Sequence, residues 1–170
     1  MTKPCVCIKE VDTVHNILQI LRTTTHNGFA VVSNEGGHFR GMMLRNQLIK
    51  LLQHDRFSDQ GLDKVLSNGA GNDLPPTGYK SGELLPLEEF CPTLQSKNLP
   101  LEPLQTLQNR VDENTVLDSR PYMNIAPVTV SPNCPIIRCY QLFRGMGIRH
   151  LPVVNDHNQV LGMITRKELM

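Results

Sequence analysis

Thr165-Arg166-Lys167-Glu168 carries the T-x-x-E spacing of a helix capping box. In that motif the threonine hydroxyl and the acid satisfy backbone N–H groups that a first helical turn leaves without partners. The same N–H groups attract phosphate, so the spacing fits an anion site and a plain cap alike. His26, in the turn-forming stretch His26-Asn27-Gly28, is the other side chain with chemistry to offer. An imidazole and a carboxylate can exchange protons, but no third residue is placed to orient either. Holding a ligand explains the two more simply than catalysis does. No Ser/His/Asp or Cys/His arrangement and no Walker-type phosphate loop occurs elsewhere, so the chain is not expected to be an enzyme. Cys5 and Cys7 alternate on one strand face, and no further Cys or His pair follows at zinc spacing. Neither zinc nor a disulfide between them is expected, and the metal-ligand set is empty. His15, Cys134 and Cys139 are expected to have no chemical role.

The elements that must position these residues come as a repeat. A shift of 122 residues lays Met1 on Met123, Val6 on Val128, Val14 on Ile136, Leu21 on Phe143 and Val31-Val32 on Val153-Val154. After one inserted residue the register resumes with Gly41 on Gly162, Arg45 on Arg166 and Leu48 on Leu169. Apolar positions match throughout, which marks an internal duplication. Each copy opens with a short strand, "CVCI" or "PVTV". The first helix follows Asp12-Thr13 as its cap, with Val14, Ile17, Leu18 and Leu21 at helical spacing. Its counterpart carries Ile136, Cys139 or Tyr140, and Phe143, behind Asn133 and Pro135. Strand pairs 29–33 with 39–44 and 151–155 with 160–164 are joined by "NEGGH" and "DHNQ", both rich in turn formers. A last helix starts at Arg45 or Arg166. Gly41 and Gly162 give tight passage between strand and helix. Phe29 and Leu151 read as core, and Met42, Met43, Met146 and Met163 as filler.

One three-stranded sheet with one helix leaves apolar surface over, and packing two such units together buries it. The fold class expected is α/β (α+β), two βαββα-type units about a pseudo-two-fold axis. Residues 1–52 form the first unit and 118–170 the second, with "ENTVLDSRPYMN" starting it in a short helical turn. Between them, 53–117 is a Pro- and Gly-containing connector, partly ordered. Met1 sits where Met123 sits in the second copy, and Met170 stops the last helix early. Both units are expected to be truncated pieces of a larger protein. Strand ends and helix starts converge in the cleft between the units. Arg149-His150 either lines that cleft or touches a partner domain.

The 170 residues suffice for one good core or two small ones sharing an interface. A net charge of +1 with scattered Lys and Arg gives no footprint for nucleic acid or an anionic membrane. Five cysteines, an odd number, fit reduced thiols better than a disulfide framework. No apolar run approaches the length of a membrane span.

"APVTV" and "GIRHLPVVNDHNQVLGMITRKEL" resemble the CBS domain, whose tandem pair is often called a Bateman module. More closely, "LRTTTHNGFAVV", "GMMLRNQLIKLL", "PYMNIAPVTV" and "LFRGMGIRHLPVVNDHNQVLGMITRKEL" resemble the cytoplasmic C-terminal region of eukaryotic CLC chloride channels and chloride–proton exchangers. The likeness is greatest to the intracellular-membrane and plant branch. The resemblance implies a cytosolic regulatory and dimer-stabilising module beneath the transmembrane domain of the same protein, on an endomembrane, in a homodimer. It also implies an adenine nucleotide, ATP or else ADP or AMP, as regulatory ligand. Carried over by position, Glu168 accepts the ribose hydroxyls and Thr165 lies near phosphate or sugar. His26 and Asn27 press on the adenine, backbone at Val6 and Phe29 reads the base edge, and Lys167 approaches phosphate. The family's usual acid is Asp where this chain has Glu168, and its usual aromatic is Tyr where this chain has His26. The alternative is an adenine-nucleotide-sensing pair that regulates a soluble enzyme or another transporter.

Overall fold

Thr13 starts the first helix by accepting from the Asn16 N–H at 3.2 Å through its hydroxyl, and Val14, Ile17, Leu18 and Leu21 then fall on one buried stripe. The computed structural model describes residues 5–58, 111–112 and 114–169. Its elements are β1 (Cys7–Lys9), β2 (Val11–Thr13), α1 (Val14–Thr23), β3 (Gly28–Val32), β4 (Phe39–Leu44), α2 (Arg45–Gln53), β5 (Val116–Asp118), α3 (Ile136–Met146), β6 (His150–Val154) and β7 (Val160–Thr165). A 3₁₀ turn, Arg166–Glu168, closes the described chain.

The first unit has a three-stranded sheet in the order β1-β3-β4, with β1 parallel and β4 antiparallel to β3. The second repeats the hairpin as β6-β7, and Val130 bridges Val153 in parallel, the same relation that β1 bears to β3. Each hairpin has a register shift at the equivalent place, between Val31 and Val32 and between Val153 and Val154. Gly36 and Gly37 (φ 71° and 64°) turn the first hairpin, and Asn158 (φ 57°) turns the second. These are the mixed α/β pair of βαββα-type units that the repeat predicts.

The units share an interface built from equivalent residues. His38 bridges Gln159, while Ala30, Met42 and Met163 form one buried cluster with Phe39 and Val160 against it. By the repeat register, Phe39 corresponds to Val160 and Met42 to Met163. Residues that correspond can touch only near a two-fold axis, so the axis runs between the hairpins. Phe39 and Asn158 cross it with two hydrogen bonds, N–H to O at 2.7 Å and Nδ2 to O at 3.1 Å.

Several expectations need correction. "PVTV" is no full strand, since Val130 alone bridges, and Pro127 has no N–H to offer a ladder. The last helix of the second unit is a single 3₁₀ turn, Arg166–Glu168. Of the stripe expected on α3, Phe143 is buried, and Cys139 is buried where Tyr140 was the alternative (48% exposed), but Ile136 is 71% exposed. The reason is a missing cover. In the first unit β5 pairs with β2 and the Thr115 carbonyl accepts from Val14, which shields the start of α1. No described segment does this for α3. The helical turn expected at the start of the second unit lies at Ser119, whose carbonyl accepts from Tyr122 and Met123, and the residues ahead of it form β5. Leu117 and Tyr122 pack into the first unit's core. Most of the connector, 59–110, lies outside the described residues. Gly41 serves close passage of another kind: a Cβ there would meet the Asn124 carbonyl oxygen at 2.4 Å.

Candidate functional site

The turn before β3 is held by a residue that sequence reasoning did not single out. Arg45, the first residue of α2, donates through Nη1 to the carbonyls of Thr24 (2.9 Å) and His26 (3.4 Å), and through Nη2 to that of Leu21. Its own N–H donates to the Asn27 carbonyl at 3.0 Å. One guanidinium therefore ties the end of α1 to the turn, using a rigid fork that a lysine lacks. Burial pushes the Arg45 guanidinium below its ordinary value. The only signal in the sequence was its register with Arg166.

His26 and Asn27 emerge from this clamp exposed, and Phe29 is fully buried in the first core. The Phe29 side chain is therefore closed to a ligand. Val6 is half-buried just before β1, its side chain against the same core. On the other unit Thr165 is half-buried, while Lys167 and Glu168 are exposed. The Glu168 Oε2 accepts from the Thr165 N–H at 2.8 Å and from its hydroxyl at 3.1 Å. The acid thus folds back onto the turn start, as the capping-box spacing requires.

His150 joins the two sides. Its imidazole lies on Gly28, where an added Cβ would stand 3.0 Å from each of three ring atoms. In the β6–β7 ladder the same residue sits opposite Thr165. The chain of neighbours therefore runs from the His26 turn through Gly28 and His150 to Thr165 and Glu168. Burial first, then the charges of Arg149 and His26, push the His150 imidazole below its usual value. Of the two roles left open for Arg149-His150, His150 lines the cleft. The register had held the clue, because His150 is the repeat equivalent of Gly28.

The CBS domain model matches residues 1–54 and 119–170. The chain belongs to the CBS-domain family. CBS domains are regulatory, non-catalytic modules, in keeping with the lack of a catalytic arrangement in the sequence. The CBS pair is 33% identical over 176 residues to H(+)/Cl(-) exchange transporter 7 of Mus musculus, covering 99% of this chain and 20% of that protein. It is 32% identical over 174 residues to Chloride channel protein C of Dictyostelium discoideum, covering 99% of this chain and 21% of that protein. The CBS pair thus spans about a fifth of the length of these relatives. Among solved structures, the cytosolic domain of the Mg2+ channel MgtE in complex with ATP aligns over 99% of this chain and 45% of its own, with a TM-score of 0.53 and 17% identity. That likeness carries the fold alone.

Among the described residues no three or more His, Cys, Asp or Glu side chains gather as a metal site. Cys5 and Cys7 sit instead as half-buried neighbours of the Met42 and Met163 cluster at the unit interface. Among the same residues no helix is long and apolar enough to cross a membrane.

Proposed function

We propose that this CBS pair is the cytosolic regulatory and dimer-stabilising module of a CLC-type chloride channel or chloride–proton exchanger of an endomembrane, and that it holds an adenine nucleotide, ATP in the first place, between its units. The observation that carries the ligand reading is the His26–Gly28–His150–Thr165 continuity across the pseudo-two-fold axis. His26 would stack on the base, with Asn27 beside it and backbone at Val6 and Phe29 reading the base edge. Glu168 would take the ribose hydroxyls, with Thr165 and Lys167 toward the phosphates. The ATP complex of the MgtE cytosolic domain supports the ligand class. The chloride-transporting relatives support the parent protein, whose transmembrane domain would be the partner.

Titration calorimetry with ATP, ADP and AMP, run beside a thermal melt, tests this. Glu168→Ala removes charge-assisted acceptors and should cost about 1.5–3 kcal/mol, roughly 10- to 100-fold in affinity. It also removes half of a cap, and the melt separates that loss from lost binding. Glu168→Asp should bind at least as well as the parent. Failure of all three nucleotides to bind at millimolar concentration would leave the cleft a packing seam.

A further inference from the structure

We propose that Cys134 and Cys139 form a modification site, a dithiol that a small-molecule disulfide such as oxidised glutathione converts into an intrachain disulfide at the start of α3. Their sulfurs stand 3.9 Å apart. Pro135 is the N-cap residue of α3, which places Cys134 just before the cap and Cys139 on the helix's fourth residue. Those two positions meet across a helix start, where many proteins place a pair of apolar side chains. Here both are thiols, so the packing contact is also a redox couple. Closing 3.9 Å to the roughly 2.05 Å of a disulfide takes less than about 2 Å of movement. Cys134 lies in the loop ahead of the helix, where a χ1 rotation can supply it.

The two thiols are unequal in a useful way. Cys139 is 2% exposed, packed with Val130, Phe143, Leu151 and Val153. Its S–H donates to the Cys134 sulfur, and burial and that bond push its thiol up. Cys134 is half-buried at the rim, just ahead of the eleven-residue helix, and is the thiol that a disulfide arriving from solvent meets first. The order follows. Cys134 gives up its proton to solvent, and its sulfur attacks one sulfur of the oxidised glutathione, breaking its S–S bond and releasing one glutathione thiolate. Cys139 then gives up its proton to solvent, its sulfur attacks Cys134, and the second glutathione leaves as thiolate. The protein loses two protons and two electrons, and the small disulfide gains both.

The whole chain, folded, is exposed to oxidised glutathione, quenched with iodoacetamide and mapped by peptide mass. The expected product links Cys134 to Cys139, lighter by two hydrogens, both thiols closed to alkylation until dithiothreitol is added. Cys139→Ser should stop at a glutathione adduct on Cys134, and Cys134→Ser should leave Cys139 free of adduct. Far-ultraviolet dichroism checks that the variants fold, and the parent chain alone is decisive. The proposal is overturned if both thiols stay open to alkylation, if the glutathione adduct persists on Cys134 of the parent, or if Cys134 or Cys139 pairs with Cys5, Cys7 or Cys91.

Discussion

Gly41→Ala probes how the second unit is seated on the first. A Cβ at this position would stand 2.4 Å from the Asn124 carbonyl oxygen, 3.2 Å from its carbonyl carbon and 3.3 Å from Met123 Sδ. The oxygen belongs to backbone, so no rotamer change relieves the clash. Separation by about 1 Å is needed to restore ordinary contact. The same backbone makes two reciprocal hydrogen bonds with Met42, both 2.9 Å, and a 1 Å shift breaks them. Two such bonds are worth about 0.5–1.5 kcal/mol each, and overpacking strain adds about 1–3 kcal/mol. The expected loss is about 2–6 kcal/mol, a drop of roughly 5–25 °C in melting temperature for a chain of this size. Thermal melting by circular dichroism measures it. Gly145→Ala is the control: it lies in α3 with nothing within 4 Å of an added Cβ, and should stabilise by about 0.5–1 kcal/mol. A Gly41→Ala loss below about 0.5 kcal/mol would refute the reasoning, since the two segments would then be yielding freely.

Arg45→Lys keeps the charge but cannot span the Leu21, Thr24 and His26 carbonyls. It should cost about 1–2 kcal/mol in chemical denaturation and weaken any ligand that leans on the His26 turn. Stability should also depend on pH through His150. Its folded pKa lies below the usual value, so the unfolded chain binds more protons in that window, and stability rises with pH there. It should be complete above about 6.5 and fall as pH drops from there through the depressed folded value. Melts across that range should lose much of their slope in His150→Gln, and an unchanged slope would assign it to other groups.

What the sequence made legible was periodicity. Val14, Ile17, Leu18 and Leu21 were placed in the core because a helix stripe needs no partner to be read. Correspondence by 122 residues likewise placed the hairpins and called for the two units to pack on each other, though not through which surface. Context was illegible. Ile136 carries the same pattern as Val14 yet stands exposed, because burial depends on β5, a strand from another part of the chain. Arg45 read as a helix starter, while its work is done on carbonyls at positions 21, 24 and 26 that only the fold brings to it. The repeat register already contained His150 facing Gly28, but a correspondence becomes a contact only when the two-fold axis passes beside it.

The departures from symmetry bear most on the proposed nucleotide site. Each unit ends its hairpin with the same backbone device: Gln47 Oε1 accepts from the Leu44 N–H at 2.8 Å, and Glu168 Oε2 from the Thr165 N–H at 2.8 Å. The chemistry at the two ends differs. Thr165 adds a hydroxyl bonded to a carboxylate, whereas Leu44 adds an apolar side chain, 40% exposed, beside a neutral amide. A charged acceptor binds sugar hydroxyls about twice as strongly as a neutral one, and leucine offers nothing to a phosphate. The turns ahead of the strands differ too, His26-Asn27-Gly28 against Ile148-Arg149-His150, and the second spends its imidazole covering Gly28. Duplication built two corners, and only one of them sets a carboxylate beside a hydroxyl. Calorimetric titration with ATP should therefore saturate at a single nucleotide per chain and lose that binding in Glu168→Ala, while Gln47→Ala leaves it in place. A second equivalent surviving Glu168→Ala and removed by Gln47→Ala would show that the neutral corner binds as well, and the argument from charge would fail.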